Sequence, residues 1–152
     1  MFLEVKNLVK FYDKNFPIIK NLNFSVNKGE IISFLGESGS GKTTFLKCIS
    51  GLEEINSGNI SLNGKILNNK NTFIKPQHRK IGYVFQDYPL FPHLNLKDNI
   101  TFNLNDKYLI NLDKMISLTG LNGLMKRYPH QLSGVEQQRA CIARALVREP
   151  EL

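Results

Sequence analysis

Two stretches of this sequence pair residue types with a spacing that does chemistry. The first is Gly36-Glu37-Ser38-Gly39-Ser40-Gly41-Lys42-Thr43-Thr44, which fits the pattern G-x-x-x-x-G-K-[ST]. Glycines let the backbone curl until several N–H groups face one centre, a nest that chelates phosphate oxygens. A helix starting at Lys42 adds its dipole to that field. The Lys42 ammonium is then placed to reach a β- or γ-phosphate, and the Thr43 hydroxyl to ligate Mg²⁺. A glycine-rich turn with an incidental lysine is the alternative, disfavoured by the apolar run before the loop and the helical pattern after it. The second stretch is Leu132-Ser133-Gly134-Val135-Glu136-Gln137. Ser133 with Glu136 is a capping box, in which each side chain takes a backbone N–H that the helix start leaves orphaned. Such a cap contributes about 1 kcal/mol. Ser-Gly ahead of the helix also turns bare N–H groups outward, and that end of a helix attracts anions.

The elements around these motifs follow from hydrophobic spacing. Residues 31–35, Ile-Ile-Ser-Phe-Leu, run apolar into the glycines and read as a fully buried strand. Residues 42–50 carry Phe45, Leu46 and Ile49 on one face and stop at Gly51, a C-cap. Residues 2–9 alternate loosely; Leu22, Phe24 and Val26 alternate cleanly, as do Ile60 and Leu62. Asn63-Gly64 then signals a hairpin before Ile66. Residues 81–85 read as a further strand and the polar stretch 68–77 as a loop. Asp106 is positioned to cap a helix bearing Leu109, Leu112 and Ile116 that ends near Gly120. The last helix runs from Gly134 to about residue 148, with Ala140, Ala143 and Val147 on one side and Pro150 beyond it.

Composition bounds what such a chain does. The 152 residues are 41% hydrophobic, enough for one sizeable core and, as a first expectation, a single domain. Twenty Lys and Arg against 13 Asp and Glu give a formal charge of +7. Basic surfaces suit phosphates, acidic membranes or nucleic acid, but these charges are scattered and form no block, so no nucleic-acid partner is expected. Cys48 and Cys141 lie in helical segments without metal-ligand spacing and read as buried free thiols. His78, His93 and His130 lack metal spacing too. No stretch approaches the ~20 apolar residues that span a bilayer, and no signal peptide opens the chain, so any membrane role runs through a partner.

Further text narrows the reading. Tyr12 lies 24 residues before Gly36; Tyr83-Val84-Phe85-Gln86-Asp87 is followed by Leu90-Phe91-Pro92-His93-Leu94; Ala143-Arg144-Ala145-Leu146 precedes Pro150. In this order, with the phosphate loop and the Ser133 motif, the whole chain resembles the ATP-binding subunit of ABC transporters. The resemblance implies an α/β phosphate-loop NTPase fold with an N-terminal antiparallel β subdomain, a parallel core sheet lacking its later strands, and a helical subdomain carrying the signature motif. It places an incomplete ATP-binding domain over 1–152: the β subdomain and phosphate-loop core at about 1–85, the Q-loop and helical subdomain at about 86–135, and the signature helix at 136–152. It implies that Tyr12 stacks on adenine and that Gly36, Ser38, Gly39, Ser40, Gly41, Lys42, Thr43 and Thr44 hold ATP. Gln86 positions water and, with Thr43, Mg²⁺; Ser133, Gly134 and Glu136 meet the ATP of a second, head-to-tail subunit. The partners implied are that second ATP-binding subunit, transmembrane permease subunits and, indirectly, a periplasmic or extracellular binding protein. The location implied is the cytoplasmic face of the membrane.

The sequence departs from the family in two respects. Val135 stands where a second signature glycine is usual, which puts methyl groups where the partner nucleotide approaches. The family's next segment, an apolar strand ending in Asp-Glu-Pro, would follow Leu152, so the Mg²⁺-holding aspartate, the catalytic glutamate and the switch histidine are not among these residues. The chain therefore reads as the first part of an importer ATPase or as a truncated, non-hydrolysing ATP-binding remnant. An ABC-type DNA-repair ATPase fits worse, because such proteins interpose coiled coils or zinc modules and here fewer than a hundred residues separate loop from signature. The text at 75–80 resembles importers of ferric iron, molybdate, polyamines and sugars, with sulfate a further possible cargo; that at 118–121 and 127–130 is most similar to the ferric-iron group.

Overall fold

Sequence parity along the first strand is broken by one residue, and the sheet is built around that break. In the computed structural model, which describes residues 1–13 and 16–152, β1 is Leu3–Asp13 and β2 is Phe16–Val26. Asn7 takes a left-handed φ of 51°, and the register of β1 against β2 shifts between Val5 and Leu8. A bulge of this kind turns side chains over to the other face. Leu3 and Val5 are buried before it, Leu8 and Lys10 after it. The loose alternation in the sequence is this phase change. With β3 (Ser57–Leu62), β4 (Lys65–Asn69) and the short β5 (Thr72–Phe73), the strands form one antiparallel sheet in the order β2-β1-β3-β4-β5. The Asn63-Gly64 hairpin forms as expected, with φ of 48° and 75° at its two residues. Such values are those of the primed turns that match strand twist.

The chain divides into two compact units, Met1–Arg79 and Lys80–Leu152. In the first, α1 (Lys42–Ser50) turns Phe45, Cys48 and Ile49 inward, and Gly51 caps it at φ 82°. Residues 31–35, expected as a buried strand, form none. Ile31 and Leu35 are 95% and 93% exposed. Phe34 alone is anchored, its ring 5.3 Å from Phe24 and 5.4 Å from Phe45. Apolar residues suit burial, but a strand is defined by a ladder, and among the described residues no segment hydrogen-bonds beside this one. The loop expected at 68–77 is partly ordered as β5 and a 3₁₀ turn, Pro76–His78.

The second unit is helical. α2 (Leu96–Thr101), α3 (Leu112–Leu118) and α4 (Gly134–Leu146) bury Leu96, Ile100, Leu112, Ile116, Leu121, Leu132, Ala140, Ala143 and Val147 together. The strand expected at 81–85 is reduced to its first bonds. Gly82 N–H donates to Leu152 O at 2.8 Å and Glu151 N–H to Lys80 O at 2.7 Å. These bonds build no strand, and every ladder among the described residues is antiparallel. The helix expected from Asp106 begins instead as a 3₁₀ stretch, Asp106–Asn111, because Asn105 takes the cap, accepting from Lys107 N–H. α geometry starts only at Leu112, and the element ends, as expected, just before Gly120. α2 was not foreseen, although Asn95 accepting from Asp98 N–H is a legible cap. Among the described residues no helix is long and apolar enough to cross a membrane.

Candidate functional site

The phosphate loop is a curl of backbone between β2 and α1. Gly39 and Gly41 take φ of 84° and 89°. At Gly41 the constraint is double, because a Cβ there would also meet Ile18 Cγ2 at 3.1 Å and Ile18 O at 3.3 Å. No side chain caps α1 at its start, so its first-turn N–H groups have neither an intrahelical nor a side-chain acceptor. The Lys42 ammonium bends back across the loop and donates to Gly36 O at 2.8 Å, Glu37 O at 2.6 Å and Ser40 Oγ at 3.1 Å. Three oxygens thus ligate it where phosphate oxygens would compete. Thr43 is exposed and Thr44 half-buried at the head of the same helix. With the Lys42 ammonium and the uncapped first-turn N–H groups of α1, this loop is a fit for a polyphosphate. For a hard cation the hydroxyl at the head of α1 is that of Thr43; the described residues hold no cluster of three His, Cys, Asp or Glu.

Tyr12 stands on the same sheet, 58% exposed at the end of β1. Two residues earlier, Lys10 is nine-tenths buried, its Nζ 4.9 Å from the centre of the Tyr12 ring. Lys10 also pairs with Glu53 at 3.1 Å and donates to Glu54 O at 2.8 Å. Phe11 N–H donates to Asn56 Oδ1 and Asn56 N–H to Val9 O, at 2.9 and 3.0 Å. The turn after α1 is therefore laced to the strand that carries Tyr12.

At the far end of α1, Arg79 does a structural job that periodicity could not reveal. It is 3% exposed and donates to Cys48 O, Ile49 O, Ile74 O and Leu67 O. Burial lowers its pKa from the ordinary value, and a cation at a helix C-terminus completes the dipole.

In the second unit Ser133 and Glu136 form the expected capping box. Glu136 Oε2 accepts from Ser133 N–H at 2.6 Å and from Ser133 Oγ at 2.8 Å, while Ser133 Oγ accepts from Glu136 N–H at 3.3 Å. These bonds, the backbone one first, hold the Glu136 carboxyl below its usual range. Gly134 has open space where a Cβ would stand, and Val135 is 57% exposed without interrupting α4. Gln86 is exposed in a turn. The loop after it is pinned twice. The fully buried Asn99 accepts from Phe91 N–H and donates to Phe91 O, Leu94 O and Asn95 O. Arg144 of α4 donates to Pro89 O at 2.6 Å. The sequence text flagged neither pin, although Asn99 is the fourth residue of a capped helix, where a buried amide is uncommon.

The profile of a family described as ABC transporter matches residues 19–152. The chain belongs to that family. Its relatives include an Fe(3+) ions import ATP-binding protein from Haemophilus influenzae, 42% identical over 99% of this chain and 44% of its own length. A spermidine/putrescine import ATP-binding protein from Clostridium acetobutylicum is 44% identical over 99% of this chain and 43% of its own length. A sulfate/thiosulfate import ATP-binding protein from Neisseria meningitidis is 40% identical over 100% and 44%. The chain thus spans less than half the length of the curated relatives it matches. Among solved structures, the ATP-binding cassette MJ0796 in a dimeric post-hydrolysis state bound to ADP and Pi superimposes with a TM-score of 0.80 at 31% identity, covering 97% of this chain and 70% of that one. A second dimeric structure of MJ0796 gives 0.81 at 29%. The α/β phosphate-loop class inferred from the sequence is the class of these ABC cassettes, and the antiparallel sheet and helical unit are its parts present here.

Proposed function

We propose that this chain is the nucleotide-binding part of an ABC importer ATPase, holding Mg·ATP on residues 36–44. The observation that carries the reading is Lys42 bound to three loop oxygens at the head of an uncapped helix, within a chain whose relatives are import ATP-binding proteins. Bound ATP would supply the free energy that drives closure; Lys42 and the loop N–H groups would hold its phosphates, Thr43 its Mg²⁺, and Tyr12 its base. Ser133, Gly134 and Glu136 would face the nucleotide of a head-to-tail partner, a reading supported by the dimeric form of the MJ0796 structures. The exposed Gln86 turn, held through Pro89 to α4, would sense the permease. The protein would then work at the cytoplasmic face of a membrane through that permease.

For residues 1–152 we propose binding without turnover, since the groups that would orient an attacking water are expected beyond Leu152. For cargo we put ferric iron first, on the text at 118–121 and 127–130, with polyamine and sulfate named by relatives of nearly equal identity. Calorimetric titration of Mg·ATP into wild type and Lys42→Ala tests the core of this. Lys42→Ala should weaken binding at least tenfold, because each charge-assisted bond to phosphate is worth about 1.5–3 kcal/mol. Equal affinities would end the assignment.

A further inference from the structure

The Tyr12 platform has a second component. Lys10 and Tyr12 are two residues apart on β1, and the Lys10 Nζ lies over the Tyr12 ring. The register of β1 against β2 shifts at several points between Val5 and Asp13, the first of them at the Asn7 bulge. The Lys10 ammonium is fixed before it meets the ring: the Glu53 carboxylate at 3.1 Å and Glu54 O at 2.8 Å hold it, and its side chain is 9% exposed. At 4.9 Å from the ring centroid it is within cation–π range. One face of Tyr12 is therefore occupied, and the rest of a 58% exposed residue is open.

We infer that Lys10 is a positioning residue for the nucleotide base: clamped by Glu53 and Glu54 O, it props one face of the Tyr12 ring so that the other is presented to the base. The inference rests on the proposed nucleotide site and on Tyr12 as its stacking residue. Two consequences follow from the geometry. An unpropped tyrosine at a strand end samples several rotamers, and ordering it on binding costs free energy that a pre-set ring avoids. A cation on one face also withdraws electron density from the ring, which favours stacking of an aromatic base on the other. Because Glu53 and Glu54 lie just after α1, whose other end closes the phosphate loop, one segment, 42–54, links the base platform to the phosphate site.

The test is a double-mutant cycle of Lys10→Met and Tyr12→Ala in the full chain. Affinities for Mg·ATP and for inorganic triphosphate are measured by calorimetry, and folding is checked by circular dichroism. Lys10→Met should weaken ATP binding roughly threefold to tenfold and leave triphosphate binding unchanged. In the Tyr12→Ala background it should have no further effect on ATP, since it acts through the ring. Lys10→Arg should restore most of the loss. Should Lys10→Met fail to fold, Glu53→Gln loosens the clamp with the ammonium retained, and it should give a smaller loss with the same selectivity for ATP over triphosphate. Equal losses for ATP and triphosphate, or losses at the two sites that simply multiply, overturn the positioning role. Tyr12→Ala without any effect on ATP overturns the stacking role beneath it and the inference with it.

Discussion

Replacing Arg79 with methionine should cost the fold about 4 kcal/mol, and the structure shows where that figure comes from. The guanidinium donates to four carbonyls, those of Cys48, Ile49 and Leu67 in buried bonds and that of Ile74 in a partly buried one. Two of them keep another donor, because Gly51 N–H bonds to Cys48 O and Ile74 N–H to Leu67 O. Ile49 O and Ile74 O are left to be satisfied by nothing else among the described backbone bonds, at about 1–3 kcal/mol each. Loss of the ring contact with Phe73, 5.3 Å from the guanidinium carbon, adds about 0.5–1 kcal/mol. Relief of the burial that already lowers the Arg79 pKa subtracts something from the sum. The remainder is a large share of a domain stability of about 5–15 kcal/mol.

Urea unfolding, with the slope constant between variants, reads this directly. Arg79→Lys should fall between the two, as a point charge cannot reach four carbonyls at once. Gly51 supplies an internal control. At φ 82° a Cβ would lie 2.5 Å from Arg79 Nε, so Gly51→Ala is strained by backbone and by contact. In the Arg79→Met background the contact part disappears, and the double variant should lose less than the sum of the single losses. A loss below about 1 kcal/mol for Arg79→Met would refute the reasoning, since even one orphaned buried carbonyl costs that much.

Other outcomes are expected. Glu136 has a folded pKa held below its ordinary 4.5, so it contributes stability above that value which is lost as pH falls through the lowered one. Glu136→Gln should therefore flatten the stability–pH profile below about 4.5 and leave the slope near neutral pH unchanged, as read by thermal melts. Val135→Gly, which removes an exposed isopropyl group beside the Ser133 cap, should strengthen ATP-driven self-association in sedimentation if that group crowds a partner's phosphate; unchanged association would show the methyls are tolerated. Burial pushes the Cys48 thiol up to about 11 and raises Cys141 as well. Both should resist iodoacetamide at pH 8 in the folded protein and react once urea unfolds it, as mass spectrometry would show.

Local signals were legible where one short stretch fixes its own geometry. α1 begins and ends where the glycines and Ser50 predict, the Asn63-Gly64 hairpin turns where the dipeptide predicts, and Ser133 meets Glu136 as the S-x-x-E spacing predicts. The misses need a partner distant in sequence. Apolarity at 31–35 promises a strand only if another strand lies beside it, and the run at 81–85 gains backbone bonds only where 151–152 reach it. Buried polar pins are the other class of miss. Lys10, Arg79 and Asn99 carry types that usually mark surface, and nothing in local spacing says that four carbonyls or a tyrosine ring wait for them.

The two ends of α1 separate affinity from stability. At its start Lys42 bonds to oxygens of an exposed loop, contacts that water can replace, so its removal should barely move the urea midpoint while weakening phosphate binding at least tenfold. At its end Arg79 bonds to buried carbonyls that water does not reach, so its removal should move the midpoint far while the molecules still folded keep their affinity. Lys10 sits between these extremes, buried like Arg79 yet touching the exposed ring that the site uses. Its loss should therefore appear in both measurements, and the part that vanishes with Tyr12→Ala is the part that belongs to the base. A helix that held its nucleotide only by local loop chemistry would show no such sharing. The lacing of residues 53–56 back to β1 ties the segment after α1 to the strand that carries Tyr12, which is why the two effects are expected together.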